Sequence, residues 1–205
     1  KEKYTGTPLS EKTTKELLAL RVADEHPRFG DRDPGGDYWA SLKTVDWLRQ
    51  NSALVPKIND ISGEHGRWIG HNTHRYGSDI DTFQFVNLTD SDSPRSSSNE
   101  AVLIQKVEEA LAGDADSLAI IKDFFIKSRA GIDLLAASDT VRKLIYTLGD
   151  ETLLLNEGWA ESLIKTGKFT SKDGVEIDLE LDEWSEEKAK FDNIHDDHLH
   201  IALKR

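Results

Sequence analysis

The chain has 205 residues and contains neither cysteine nor methionine. Without thiols, it can build no disulfide framework, no cysteine–zinc structural site and no cysteine nucleophile. Cations are also scarce: 26 lysines and arginines stand against 38 aspartates and glutamates, a formal net charge of −12. No basic stripe is present to neutralise phosphates, which argues against a nucleic-acid partner. The same shortage argues against anchoring on an anionic membrane surface. No apolar run approaches the ~18 residues of a membrane span. The lack of cysteine suits either side of a membrane, so it fixes no compartment. The chain opens on Lys1 without any methionine. A start codon is therefore expected upstream, and a secretory signal, if there is one, belongs there.

What remains is a length sufficient to bury a sizeable core in a single domain, residues 1–205. Ser10 followed by Glu11, then Leu17, Leu18, Leu20 and Val22, predicts an N-capped amphipathic helix. Arg28–Asp37 reads as a loop. Trp39, Leu42, Val45 and Leu48 recur near helical spacing and predict a second helix over Tyr38–Gln50. Ala53–Ile61 reads as extended, and Ile80–Val86 alternates as a strand does. Thr89–Asn99, rich in serine and aspartate, reads as a solvated loop. Glu100–Leu111 and Ala115–Ser128 predict two helices split by Gly113-Asp114, a helical insert around residues 99–137. Further on come a strand over Lys143–Leu148, a short helix over Trp159–Lys165, and strands over Val175–Leu181 and His198–Leu203. Strands and helices that do not alternate regularly indicate an α+β fold, with a small, mainly antiparallel sheet flanked by helices.

Five of the seven histidines lie in two short windows, Gly70–Asp81 and His195–His200, each mixed with aspartates. Such clustering of nitrogen and oxygen donors is the pattern of one metal ion clamped between two chain segments. Taken singly, each histidine would be an ordinary surface or hydrogen-bonded side chain, as His26 and His65 are read here. Residues two apart in a strand share a face, so His198 and His200 point together while Leu199, Ile201 and Leu203 face the core. His74 and Asp81, seven apart, would face opposite ways along an unbroken strand. They converge only if the chain turns between them, and Gly77 can supply that turn. Neutral imidazole with carboxylate suits Zn²⁺, and catalytic zinc keeps three protein ligands and one open position. Asp79, Asp196 and Asp197 could orient the imidazoles from behind. Spacing alone does not decide between His198 and His200 as ligand, and it leaves His71 open.

The pattern His71-x-x-His74-x-x-Gly77-x-Asp79-x-Asp81, followed much later by His195-x-Asp197-His198-x-His200, resembles the penicillin-insensitive murein endopeptidases. These belong to the group that includes lysostaphin-type enzymes, D-alanyl-D-alanine peptidases and hedgehog-like domains. The approach segment Asp60–Gly63 through Arg67 and Gly70 is similar too. The resemblance implies one Zn²⁺ held by His74, Asp81 and His200, with His198 as base or oxyanion stabiliser. His195 and His71 would line the site. The implied reaction is hydrolysis of peptide cross-links in peptidoglycan, with peptidoglycan peptides as partner and a periplasmic or secreted location. The chain departs from the family at Thr73, where serine is usual, and at Arg75, where glutamine is usual; Arg75 places a cation beside the substrate groove. Disulfides common in the family are absent, and the helical insert is unlike the usual spacing.

Two alternatives remain. A D,D-carboxypeptidase or dipeptidase of the same group would grip a free carboxylate, with Arg67 or Arg75 as candidates. Those enzymes place a glutamate three residues before the last ligand, where this chain has Asp197, so the endopeptidase pattern fits better. A hedgehog-like module would keep zinc without catalysis; His195 and His198, which ligation does not require, count against it. Trp68 or Trp184 could stack on substrate, although packing is the plainer use.

Overall fold

A computed structural model describes residues 17–19, 36–55, 57–63, 74, 76–83, 85–89, 96–146, 151–191 and 198–205. Among these residues the order of elements is β1 (Leu17–Ala19), β2 (Trp39–Ser41), α1 (Leu42–Gln50), β3 (Asp79–Thr82), α2 (Ser96–Leu111) and α3 (Ala115–Ala136). There follow β4 (Val141–Tyr146), α4 (Trp159–Thr166), β5 (Lys168–Thr170), β6 (Glu176–Asp178), β7 (Ala189–Phe191) and β8 (Leu199–Leu203). The fold is α+β, with a small four-stranded sheet in the order β3-β8-β4-β7 and two two-stranded sheets, β1-β2 and β5-β6. The pairings β1–β2, β3–β8 and β5–β6 are all antiparallel. No helix among the described residues is long and apolar enough to cross a membrane.

The chain divides into two compact units. The first comprises Lys1–Phe83, Ser138–Leu144 and Leu199–Arg205. Its core holds Val45, Leu48, Val55, Ile58, Ile61, Ile80, Val141, Leu199, Ile201 and Leu203, all essentially inaccessible to solvent. The second comprises Gln84–Ala137 and Ile145–His198. In it α2 packs along α3, and Leu103, Val107, Ile121, Phe124, Phe125, Trp159 and Leu163 fill the interior. The break between α2 and α3 has local causes. Gly113 adopts φ +96°, and the Asp114 carboxylate caps α3 by accepting from the Ser117 N–H at 2.7 Å.

The helix expected at the start of the chain is corrected at Leu17–Ala19, which form a strand; the rest of that segment lies outside the described residues. Leu17, Leu18 and Ala19 pair with Ser41, Ala40 and Trp39. A short apolar run has no periodicity that separates strand from helix, and the partner strand decides. The second expected helix starts later than Tyr38. The Trp39 N–H goes to the Ser62 carbonyl (2.9 Å) and the Ser41 N–H to that of Gly77 (3.0 Å). Trp39–Ser41 are extended and pair with β1, so the helix begins only at Leu42. Ser41 is its N-cap, accepting from the Thr44 N–H at 3.2 Å.

Elsewhere the differences are in extent. The strand expected over Ile80–Val86 is Asp79–Thr82, and that expected over Val175–Leu181 is Glu176–Asp178. The strand expected over Lys143–Leu148 is Val141–Tyr146, and α3 runs on from Ser128 to Ala136.

Candidate metal centre

Strands β3 and β8 pair with Asp81 opposite His200, Asp79 opposite Ala202 and Ile80 opposite Ile201. Directly opposed residues of a ladder point to the same face, and their sequence neighbours to the other. One face therefore carries Asp79, Asp81, His200 and Ala202; the other carries Ile80, Ile201 and Leu199. Both faces are covered, since every residue of β3 and β8 is buried. Carboxylates and imidazoles in such a place are costly unless polar partners surround them.

His74 reaches this face through a bend. Gly77 adopts φ +64°, where a side chain is disfavoured. Its carbonyl accepts from the Thr44 hydroxyl (2.5 Å) and from the Ser41 N–H, which tie the bend to the start of α1. The turn anticipated between His74 and Asp81 is thus present. His74 Nδ1 lies 2.9 Å from the Ile61 carbonyl. A carbonyl can only accept, so Nδ1 carries a proton, and Nε2 is the nitrogen left to face the cluster. The segment that supplies Ile61 runs beside β3: the Asn59 N–H donates to the Asp81 carbonyl (2.7 Å) and the Asp81 N–H to the Asp60 carbonyl (2.8 Å).

Three donor atoms converge. His74 Nε2 is 3.3 Å from Asp81 Oδ1 and 3.2 Å from His200 Nδ1; the latter is 2.8 Å from Asp81 Oδ1. The three side chains are at most 1% exposed. Bonds of about 2.0–2.2 Å in a tetrahedron set donors roughly 3.2–3.6 Å apart. Two of the separations match, and the third is that of a hydrogen bond. Together His74, Asp81 and His200 could hold a metal ion.

The other nitrogen of His200, Nε2, is 3.4 Å from Asp79 Oδ1. Asp79 accepts at Oδ2 from the Ser78 hydroxyl (3.1 Å), and the half-exposed Arg142 guanidinium lies 3.7 Å from its Oδ1. Burial pulls the His200 pKa down. The nearby carboxylates of Asp79 and then Asp81 more than offset that, and the net effect is a rise to about 9.

Of the residues singled out from sequence, His74, Asp79, Asp81 and His200 are brought together. His198 is buried immediately ahead of β8. His71, Arg75, His195 and Asp197 lie outside the described residues, as do Arg67 and Trp68. Trp184 is engaged in packing: its indole N–H donates to the Asp133 carboxylate (3.0 Å), and the Arg129 guanidinium sits 6.0 Å from its ring centre. Sequence reasoning missed the Ile61 carbonyl and Arg142. A backbone acceptor leaves no signal in side-chain identity, and Arg142 lies far from both motifs in the chain.

Comparison with protein-family models finds no match, and neither does comparison with curated proteins.

Proposed function

We propose that this chain is a zinc-dependent peptidase of the D,D-endopeptidase type, cleaving peptide cross-links of peptidoglycan in the periplasm or outside the cell. The observation that carries the reading is the meeting of His74, Asp81 and His200 in one buried cluster. These are the three positions at which the resemblance to murein endopeptidases implies ligands. The donor set fits zinc rather than calcium or magnesium, which take oxygen ligands almost exclusively. Zinc held there would supply Lewis-acid polarisation of the scissile carbonyl and lower the pKa of a water toward ~7.

The chain's own groups do the rest. The Ile61 carbonyl holds the His74 imidazole with Nε2 turned inward, and Nδ1 of His200 faces Asp81. His198, through an imidazole nitrogen, takes the proton of the attacking water or donates to the oxyanion that develops on the carbonyl. The resemblance implies His195 and His71 on the substrate side, with Arg75 and Asp197 toward substrate; all four lie outside the described residues.

Purified muropeptides incubated with the protein, with and without a chelator, test this by mass analysis. Conversion of cross-linked dimers to monomers, abolished by the chelator, is expected. Release of a terminal alanine alone would replace the endopeptidase with a carboxypeptidase. Metal binding without either cleavage would make the chain a zinc-binding module.

A further inference from the structure

We propose that Asp79 is a positioning residue: it holds the Nε2 side of His200 so that Nδ1 faces His74 and Asp81. This rests on the metal-binding part of the function proposed above and not on the peptidase part.

Asp79 and Asp81 are two apart on β3 and so share a face, which lets one strand present carboxylates to both nitrogens of a single ring. Asp81 Oδ1 is 2.8 Å from Nδ1, and Asp79 Oδ1 is 3.4 Å from Nε2. A neutral imidazole carries its proton on one nitrogen and a lone pair on the other. For Nδ1 to act as a donor atom to a cation, the proton must sit on Nε2, and Asp79 supplies the acceptor beside it. The opposite tautomer would set a lone pair against a carboxylate. Outer partners of this kind fix ring orientation and raise ligand basicity.

Asp79 is itself held. The Ser78 hydroxyl donates to Oδ2, and Arg142 lies 3.7 Å from Oδ1. Arg142 belongs to β4, on the far side of β8 from β3. The β8 residue opposite Asp79 is Ala202. Each ligand imidazole thus has an acceptor behind it: a backbone carbonyl for His74 and a side-chain carboxylate for His200. Only the second can be changed by substitution.

The test uses the whole chain stripped of metal, titrated with zinc against a chromophoric chelator, and the cobalt-substituted protein read by visible absorption. Asp79→Ala should weaken zinc binding about 100-fold and Asp79→Asn, which keeps an acceptor oxygen, about tenfold. The cobalt bands should shift in both variants, more in Asp79→Ala. A folded variant of either kind, by far-ultraviolet circular dichroism, with wild-type zinc affinity and unshifted bands overturns the proposal; Asp79→Asn carries the test if Asp79→Ala does not fold. Wild-type protein that binds zinc yet cleaves no muropeptide removes the peptidase reading and leaves this one intact. Wild-type protein that binds no zinc removes both.

Discussion

The ladder β3–β8 and the hairpin β5–β6 are built from the same alternation and put it to different use. In the hairpin each strand is exposed, buried, exposed, with Phe169 opposite Ile177 on the inner face. Its outer face is wet: Lys168 and Asp178 pair at 3.0 Å while 67% and 50% exposed. In β3 and β8 the face that carries Asp79, Asp81 and His200 alternates with a mainly apolar one, yet it is as buried as the other. Alternation therefore identifies a strand, and only the covering of its polar face separates a functional surface from a solvated one. Burying aspartate and histidine without strong partners costs several kcal/mol. A fold that does so on one ladder and not on the other marks the first as the candidate site.

Four measurements would break or sharpen that contrast. The largest effect is expected at His200. His200→Ala removes one of three donors and should weaken zinc binding by more than about 100-fold, beyond the range of outer partners; competition titration measures it. The apolar side of the same ladder comes next. Ile201 is inaccessible and faces Ile80, so Ile201→Ala should cost about 2–5 kcal/mol in urea unfolding.

A pH series follows. Zinc must displace the proton that His200 holds up to about 9, so affinity should climb with pH by up to about tenfold per unit and level off above that value. In metal-free protein the sign reverses. A raised histidine pKa stabilises the fold fully below about 6.5, and that contribution disappears as pH rises through about 9. Thermal unfolding with and without zinc across this range should show the two opposed trends. The smallest effect belongs to the hairpin's outer face: Lys168→Ala should leave the melting temperature within about a degree of wild type, because exposed ion pairs contribute little. A large loss there would erase the distinction between the two ladders.

Much of this was legible in the residues. The two histidine–aspartate windows marked out the cluster, Gly77 marked the bend, and Gly113-Asp114 marked the break between α2 and α3. Strand edges were less legible because they depend on partners. Nothing within Trp39-Ala40-Ser41 says that the Ser62 and Gly77 carbonyls will take its N–H groups. Nor does Leu17-Leu18-Ala19 announce a strand before its mate is known. The choice between His198 and His200 followed the same logic. Spacing put both on one side, and only the register that sets His200 opposite Asp81 brings its Nδ1 to His74. The short strands Lys168–Thr170 and Ala189–Phe191 were missed, being too brief for a period to show.

His74 and His200 stand 126 positions apart along the chain, and Asp81 and His200 stand 119 apart. A cation gripped by all three would close a loop longer than half the polypeptide, serving as a cross-link in a chain that has no sulfur with which to make one. Unfolding would then have to release the ion before the ends of that loop could separate, and protection against heat would track free metal concentration.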